Sequence, residues 1–192
     1  MATVQRKISV FNHVSLDGYF VDGKGDMSWA HQAAQDEEWN AYVNGNAQGD
    51  STMLFGRVTY DLMAGYWPTP MAMQSMPAVA ERMNSAQKVV FSRTMDKAAW
   101  KNTRLIRDNM IEEVKKMKQE PGTPMVIMGS GRIIAQLAEA GLIDSYSVIV
   151  NAIVIGSGRT MFDGVKNRLA LKLVNSRAFN NGNVLLTYEP KG

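Results

Sequence analysis

The glycine-rich segment Gly129-Ser130-Gly131-Arg132 is the strongest candidate for chemistry in this sequence. It follows four apolar residues, 125–128, that are typical of a buried strand, and it opens a stretch with the apolar spacing of a helix. Glycines let backbone N–H groups approach a phosphate closely, and a helix N-terminus adds positive potential there. The segment therefore predicts a phosphate-binding turn.

Several common phosphate sites do not fit this pattern. The segment lacks the third glycine of the dinucleotide fingerprint, and no acidic residue follows about 20 positions later to hold a ribose. It also lacks the Lys-Ser/Thr pair of a P-loop, which argues against a nucleoside triphosphatase. A second Gly-Ser-Gly-Arg at 156–159 precedes no helical pattern, so we interpret it as a turn between strands.

Two other predicted strand ends carry an arginine beside a small residue, at Gly56-Arg57 and Ser92-Arg93. Ligands of open α/β sheets bind beyond the carboxyl ends of the parallel strands, so these residues and the turn at 129–132 are expected on one edge. This collection suits a ligand with several phosphates, and an arginine near a ribose 2′-phosphate favours NADP over NAD. The alternative is that these arginines are solvated side chains at helix starts.

Candidate proton donors and catalysts are few. His13 lies in an apolar strand, where it is either a hydrogen-bonded residue of the core or rim, or a catalyst. Asp36, Glu37 and Glu38 suit the start of a helix, and one of them could instead face the cleft as a proton donor. Asp17 is most simply a turn residue.

The aromatic side chains are interpreted mainly as core. Two tryptophans, Trp29 and Trp67, lie in segments that the sequence predicts to be irregular, so they could instead line a pocket. Tyr60 follows a short strand on the helix that begins near Arg57. No Gly-x-Ser-x-Gly elbow is present, so no nucleophile–base arrangement is indicated.

Composition excludes several classes of site. The chain has 192 residues, no cysteine, two histidines and a net charge of +3. It therefore has no disulfide scaffold, zinc–thiolate site or cysteine nucleophile, and a histidine metal site is unfavourable. The small charge is not the basic footprint of a nucleic-acid binder, and no apolar run approaches the ~20 residues that span a bilayer. We expect a single domain over residues 1–192, in the cytoplasm, with no metal, nucleic acid or membrane partner.

The order of elements predicts an α/β fold. Strands and helices alternate and are followed by a run of strands, which predicts three α/β/α layers around a mixed, mainly parallel central sheet with antiparallel C-terminal strands. Segment 17–29 is predicted as a loop and segment 64–77 as irregular, because both are rich in glycine or proline. The predicted strands are 8–14, 52–55, 88–91, 103–106, 125–128, 145–154, 169–177 and 183–189, and the predicted helices are 36–47, 57–63, 109–119 and 131–140.

An ordered set of short motifs resembles the dihydrofolate-reductase-like superfamily. The nearest branch is similar to the C-terminal reductase domain of the bifunctional riboflavin-biosynthesis deaminase/reductase, in a standalone form. The resemblance extends from about residue 7 to residue 190. The motifs are Val14-Ser15-Leu16-Asp17-Gly18, Leu54-Phe55-Gly56-Arg57-Val58-Thr59-Tyr60, Val89-Val90-Phe91-Ser92-Arg93 and Met128-Gly129-Ser130-Gly131-Arg132.

The resemblance implies an NADPH-dependent reductase, a homodimer, that transfers hydride to a small heterocycle. The backbone of His13 and Val14 would lie beside the nicotinamide, and Ser92 and Arg93 near the adenosine 2′-phosphate. The remaining cofactor residues would be Gly56, Arg57, Thr59, Gly129, Ser130, Gly131, Arg132 and Ile133, and the substrate residues would be Asp17, Trp29, Tyr60 and Trp67.

The substrate is the least defined part of this prediction. In dihydrofolate reductases a carboxylate lies a few residues beyond the loop tryptophan, whereas here Asp36 follows Trp29 at a longer spacing. Asp36 is still the nearest candidate catalytic residue, and the substrate would be of the pyrimidine or pteridine type. The alternative function is a non-catalytic NADP- or small-molecule-binding module of the same fold.

Overall fold

A computed structural model describes residues 5–31, 36–47 and 49–191 of the chain. Ten strands, six α-helices and one 3₁₀ turn (Ser28–His31) form within these residues. The strands are β1 (Ile8–Ser15), β2 (Tyr19–Asp22), β3 (Thr52–Gly56), β4 (Lys88–Phe91), β5 (Thr103–Ile106), β6 (Met125–Met128), β7 (Ser145–Asn151), β8 (Gly158–Thr160), β9 (Leu171–Ala178) and β10 (Val184–Pro190). The helices are α1 (Glu37–Ala47), α2 (Arg57–Tyr66), α3 (Pro70–Ser75), α4 (Pro77–Ser85), α5 (Met110–Gln119) and α6 (Gly131–Glu139).

The central sheet has eight strands in the order β5-β4-β3-β6-β1-β7-β10-β9. The pairings among β5, β4, β3, β6, β1 and β7 are all parallel, whereas β10 is antiparallel to both β7 and β9. This arrangement confirms the predicted mixed, mainly parallel sheet with antiparallel C-terminal strands. It also places the carboxyl end of β6 directly between those of β3 and β1.

Helices cover both faces of the sheet. Alternate residues of a buried strand point to opposite faces, so apolar side chains on each face pack against a separate set of helices. Leu54 of β3 belongs to an apolar cluster with residues of α5 and α6, such as Val114 and Ile134. Its neighbour Phe55 belongs to a second cluster, with Tyr60 of α2 among its members. The three predicted layers are therefore confirmed.

The prediction that segment 64–77 is irregular was wrong. Helix α2 continues to Tyr66, and two further helices begin at Pro70 and Pro77. Proline is favourable at the first position of a helix, where its missing N–H is not needed. The hydroxyl of Thr69 also caps α3 by accepting a hydrogen bond from Ala72 N–H at 3.2 Å. These prolines therefore begin helices, although proline within a segment more often indicates that a helix ends.

The prediction that segment 17–29 is a loop was wrong in part. β2 lies within it and pairs with β8 in a separate two-stranded antiparallel sheet. Strand β8 comes from the second Gly-Ser-Gly-Arg segment, so its partner lies more than 130 residues away in sequence. We call this two-stranded sheet the β2–β8 flap. Within the described ranges, no helix is long and apolar enough to cross a membrane.

Candidate functional site

The turn after β6 adopts an unusual backbone conformation at the predicted phosphate site. Gly129 and Ser130 have φ angles of 59° and 61°, both in the left-handed region, and helix α6 begins at the next residue. Left-handed backbone is ordinary for glycine but costs about 1 kcal/mol or more for serine. Such a conformation persists only where neighbouring groups hold it, and here the two adjacent strands supply them.

The side chain of Asn12, on β1, holds the first residue of this turn. Its Oδ1 accepts a hydrogen bond from Gly129 N–H at 2.6 Å, and its Nδ2 donates to the Gly129 carbonyl at 3.2 Å. Asn12 is only 4% exposed, so these bonds lie in the interior. Both polar groups of the Gly129 backbone are therefore occupied.

The second residue of the turn is held by β3 and the start of α2. The Ser130 hydroxyl accepts a hydrogen bond from Gly56 N–H at 2.8 Å, and Ser130 N–H donates to the Thr59 hydroxyl oxygen at 3.1 Å. A Cβ at Gly129 would lie 2.8 Å from the Thr59 side chain, so only glycine fits there. Four predicted cofactor residues thus come together, but their polar groups form hydrogen bonds within the protein. They are Gly56, Thr59, Gly129 and Ser130.

Two N–H groups of the turn remain available. Within the part of the chain that the structure describes, the backbone N–H groups of Gly131 and Arg132 donate to no acceptor, whereas those of Ile133 and Ile134 donate to the Ser130 carbonyl. Gly131 and Arg132 are the first two residues of the nine-residue helix α6. Unsatisfied N–H groups at a helix N-terminus form an anion-binding site. The Ile133 side chain is buried in the core.

The β2–β8 flap lies over this helix start. A Cβ at Gly131 would lie 3.3 Å from the Met161 carbonyl oxygen and 3.4 Å from the Phe20 ring. Phe20 and Met161 are buried, and the guanidinium of Arg159 lies 5.9 Å from the centre of the Phe20 ring. The absence of a side chain at Gly131 therefore lets the flap approach the N-terminus of α6.

The carboxyl end of β1 is joined to that of β7 by Asn151. The Asn151 Nδ2 donates to the Val14 carbonyl at 3.0 Å, and the Asn151 side chain also contacts His13 Nδ1. The His13 ring packs edge-on against Trp39 of α1, with the ring centroids 5.8 Å apart. These contacts keep the His13–Val14 backbone, predicted to lie beside the nicotinamide, rigidly in the sheet.

Asp36 lies at the N-terminus of α1 and has one unpaired oxygen. Its Oδ1 accepts a hydrogen bond from Trp39 N–H at 3.1 Å, which caps the helix. Its Oδ2 is buried and has no hydrogen-bond partner among the residues that the structure describes. Trp39, one turn into the helix, contacts His13, so α1 brings Asp36 towards the end of β1. A buried carboxylate oxygen without a partner is costly, which makes this atom a candidate for contact with a ligand.

The basic strand ends are exposed at the same edge of the sheet. Arg57 forms a 3.5 Å ion pair with Asp61, and both side chains are about half exposed. The Ser92 hydroxyl accepts hydrogen bonds from the N–H groups of Thr94 and Met95, so Ser92 shapes the turn that presents Arg93. Arg93 and Arg132 are exposed, and they remain available to an anion.

Asp17 holds two loops together. Its carboxylate accepts hydrogen bonds from Gly156 N–H at 2.8 Å and Ile155 N–H at 3.2 Å. The Ser15 side chain and these N–H groups hold the pKa of Asp17 below its usual value. The structure therefore places Asp17 as a tie between the loops after β1 and β7, and its predicted contact with substrate is not supported by this arrangement.

The predicted aromatic contacts divide into two groups. Tyr60 is 3% exposed, and its hydroxyl accepts a hydrogen bond from Trp100 N–H at 2.8 Å, so it is a core residue rather than a pocket wall. Trp67 packs against the same cluster, and its indole N–H donates to the sulfur of Met63. Trp29 is partly exposed in the 3₁₀ turn that follows the flap strand β2. Of the three, Trp29 alone lies outside the second apolar cluster.

Sequence reasoning missed the residues that shape the site. Asn12 and Asn151 are buried polar side chains of β1 and β7, and they make the contacts described above. The signal that could have revealed Asn12 is a polar residue at an inward position of the alternating strand 8–14. No group of three or more acidic, histidine or cysteine side chains suited to a metal occurs among the residues described.

Comparisons with known proteins agree on the fold. The sequence profile of the RibD C-terminal domain matches residues 6–185. The YyaP protein of Bacillus subtilis (strain 168) is 33% identical over 189 residues, which cover 98% of this chain and 97% of that protein. A putative riboflavin biosynthesis protein from Shewanella sp. PV-4 is similar in structure, with a TM-score of 0.73, 20% identity and coverage of 97% and 99% of the two chains. Dihydrofolate reductase from Enterococcus faecalis, complexed with NADP(H), has a TM-score of 0.65, 13% identity and 98% coverage of both chains.

Proposed function

The chain belongs to the RibD C-terminal domain family and has the dihydrofolate-reductase-like fold, and we propose that it is an NADPH-dependent reductase of a small heterocyclic substrate. One observation carries this proposal: the N–H groups of Gly131 and Arg132 are unpaired at the start of α6, beside strand ends that carry arginines. This arrangement suits a pyrophosphate, for which helix N-termini are favourable sites. A metal-dependent phosphate hydrolase would need metal ligands at this edge, and no group of three or more acidic, histidine or cysteine side chains suited to a metal occurs among the described residues.

The residues present fit NADPH. The pyrophosphate would be held by Gly131 and Arg132, and the adenosine 2′-phosphate by Ser92 and Arg93, with Arg57 nearby. The backbone of His13 and Val14, held by Asn151, would position the nicotinamide. When bound, the cofactor supplies the hydride, so the protein has to orient two ring systems and exclude water. The β2–β8 flap, which already reaches Gly131, is suited to exclude water.

Asp36 is the group that we assign to the substrate. Its unpaired Oδ2 could accept a hydrogen bond from a ring N–H or amino group, or, when protonated, donate a proton to the ring atom that hydride transfer leaves basic. Trp29 is partly exposed in the 3₁₀ turn that follows β2, and it would form an apolar wall. Tyr60 lies in the second apolar cluster and Trp67 packs against it, so neither is among the proposed substrate contacts.

The substrate class is a pyrimidine or a pteridine. The Shewanella protein is named for riboflavin biosynthesis and the Enterococcus enzyme is named dihydrofolate reductase. Pyrimidines and pteridines both carry ring N–H or amino donors to which a carboxylate can accept hydrogen bonds. The chain has no cysteine, so the zinc deaminase chemistry that accompanies some reductase domains has no ligands here. Because NADPH and both substrate classes are intracellular metabolites, the proposal also places the protein in the cytoplasm.

We also propose that the protein is a homodimer. Helix α2 and the segment after it expose several large apolar side chains, and apolar patches of this kind are uncommon on monomers. Substituting Leu62, which is 55% exposed, with glutamate should dissociate the dimer in analytical ultracentrifugation. A wild-type protein that sediments as a monomer would contradict this part of the proposal. The exposed side chains are Val58, Leu62, Tyr66, Met71, Met73 and Met76.

The test is a pair of measurements on the purified protein. NADPH binding, followed by tryptophan fluorescence, should be at least tenfold tighter than NADH binding, because only NADPH has the 2′-phosphate. NADPH oxidation should then be followed by absorbance with dihydrofolate and with the ribosylaminopyrimidine of riboflavin synthesis. Binding without turnover on either heterocycle would favour a non-catalytic binding module, and no binding of NADPH would overturn the proposal.

A further inference from the structure

We propose that Asn12 is a positioning residue that sets the geometry of the turn at 129–132, where the pyrophosphate would bind. It also links this turn to β1, whose His13–Val14 backbone would lie beside the nicotinamide. This inference rests on the proposed NADPH binding. It concerns a side chain that contacts neither phosphate nor substrate and acts through Gly129. Its basis is a pair of interior hydrogen bonds between β1 and the turn after β6.

The strand pattern directs Asn12 to the turn. Its neighbours Phe11 and His13 point towards the α1 side, where their rings contact each other edge-on at 5.9 Å. Asn12 therefore points to the opposite face, as Val10 and Val14 do in the first apolar cluster. At that position the register pairs Phe11 of β1 with Met128, the last residue of β6, so Asn12 reaches the residue that follows it.

The geometry requires a carboxamide. Gly129 offers one buried N–H and one buried C=O, and the Asn12 side chain supplies one acceptor and one donor in a single plane. An aspartate could accept from the N–H but would place a negative oxygen against the carbonyl. An aliphatic side chain would leave both backbone groups without partners in the interior, which is costly.

The Gly129 peptide controls where the phosphate-binding groups point. Two successive left-handed residues, Gly129 and Ser130, lead directly into α6, whose first two N–H groups, those of Gly131 and Arg132, donate to no acceptor among the described residues. Thr59 and Gly56 hold Ser130 from the β3 side, and Asn12 alone among the described residues holds Gly129. A change at Asn12 should therefore rotate these donors without altering the 2′-phosphate contacts at Ser92 and Arg93.

The position of Asn12 in the sequence gives it a second consequence. It directly precedes His13 and Val14, whose backbone is proposed to lie beside the nicotinamide. The two hydrogen bonds from Asn12 to Gly129 hold β1 at a fixed distance from the turn at 129–132. The protein segments that would bind the nicotinamide and the pyrophosphate are thereby aligned with each other. Loss of the bond should then lower kcat as well as NADPH affinity, since misalignment of about 1 Å affects the chemical step strongly.

The experiment compares the binding of two ligands to the 192-residue protein and to three of its variants. These are Asn12→Asp, the milder Asn12→Ser and the matched control Asn175→Asp, which changes an exposed asparagine on β9. NADPH affinity should fall about tenfold or more in both Asn12 variants, which corresponds to the loss of one buried hydrogen bond. Affinity for adenosine 2′-monophosphate, which carries the 2′-phosphate but no pyrophosphate, should stay within about twofold of wild type. The Asn175→Asp protein should match wild type for both ligands.

Amide hydrogen exchange gives a readout that does not depend on ligand. The Gly129 amide should be protected in the wild-type protein and should exchange faster in the Asn12→Ser protein, while core amides of β6 keep their protection. Equal loss of affinity for both ligands, or unchanged NADPH affinity with an unprotected Gly129, would overturn the positioning role. If the wild-type protein binds adenosine 2′-monophosphate but not NADPH, or binds neither, the proposed function itself fails. If wild type binds NADPH and the Asn12 variants bind it equally well, the role of Asn12 alone is refuted.

Discussion

The hydroxyl of Ser130 accepts a hydrogen bond from the backbone N–H of Gly56 at 2.8 Å, which joins the carboxyl ends of β6 and β3. The same hydroxyl lies 3.1 Å from the Thr59 hydroxyl and 3.1 Å from the Met128 carbonyl. Ser130 itself has a left-handed backbone, with φ of 61°. One side chain thus holds a strained turn against two neighbouring elements, and the first prediction follows from it.

Replacing Ser130 with alanine should destabilise the protein by roughly 1–3 kcal/mol, because the partly buried Gly56 N–H then loses its acceptor. Ser130→Gly removes the same hydroxyl but also relieves the left-handed strain, so its loss should be smaller by about 1 kcal/mol. Urea unfolding of the two variants measures the difference. Equal destabilisation would mean that the backbone of Ser130 is not strained in solution.

Replacing Gly131 with valine should abolish NADPH binding and displace the flap. A Cβ there lies 3.3 Å from the Met161 carbonyl, and the branched side chain would also approach the phosphate site. Fluorescence titration with NADPH measures the binding. The matched control is Gly45→Ala on α1, where a Cβ meets nothing within 4 Å and where alanine should stabilise the helix by up to about 1 kcal/mol. Full NADPH affinity in Gly131→Val would show that the turn is purely structural.

Replacing Arg57 or Arg93 with alanine should weaken NADPH binding far more than NADH binding. Only NADPH has the 2′-phosphate, and arginine–phosphate hydrogen bonds are strong. Stability should change by less than about 0.5 kcal/mol, since Arg57 makes only an exposed pair with Asp61. Isothermal titration with both cofactors tests this, with the exposed Arg168→Ala as the control. A similar loss for NADPH and NADH would argue against a 2′-phosphate site.

Replacing Asp36 with asparagine should lower the rate of NADPH oxidation by about 100-fold or more while leaving NADPH affinity within about twofold. Asparagine retains the oxygen that caps α1, so the helix keeps its N-terminus, but it cannot deliver a proton. Asp36→Ala removes the cap as well and should cost roughly 1 kcal/mol of stability. Steady-state kinetics with the active heterocycle measure the effect. If Asp36→Asn keeps the wild-type rate, another group supplies the proton.

A buried lysine gives a prediction about pH. Lys88 at the start of β4 is 1% exposed, and its ammonium donates to the carbonyls of Ala86 and Asn84 and lies 4.5 Å from the centre of the Trp100 ring. Burial, with a smaller contribution from the nearby Arg82, lowers the pKa of Lys88 from 10.5 to about 8. The folded protein therefore releases this proton at a lower pH than the unfolded chain does.

Stability should consequently rise with pH between about 8 and 10.5, because in that window the unfolded chain binds more protons than the folded one. The gain should be at most about 3 kcal/mol, and below pH 8 the full cost of burying the charge remains. Lys88→Met, which keeps the length but has no charge, should lack this rise. Urea unfolding across the pH range measures both proteins, and parallel curves would contradict the shift.

The elements were predictable where local pattern decides them. The parallel strands, the helix after Gly131 and the hairpin near residues 180–183 follow from apolar spacing and turn residues, and the structure has them within a few residues. The segment 64–77 was not predictable in the same way. Pro70 and Pro77 can end one helix or begin another, and the choice depends on the packing of α3 and α4.

By itself, the sequence determined which backbone segments end at the edge of the sheet, and it therefore grouped Gly56, Arg57, Ser92, Arg93 and the turn at 129–132 correctly. Only the tertiary structure decided which groups of that set are free to bind a ligand. Gly129 and Ser130 use their N–H groups on Asn12 and Thr59, which lie 117 and 71 residues away, and so Gly131 and Arg132 keep theirs. A hydrogen bond between distant segments depends on the distance that folding creates, and no local spacing in the chain records it.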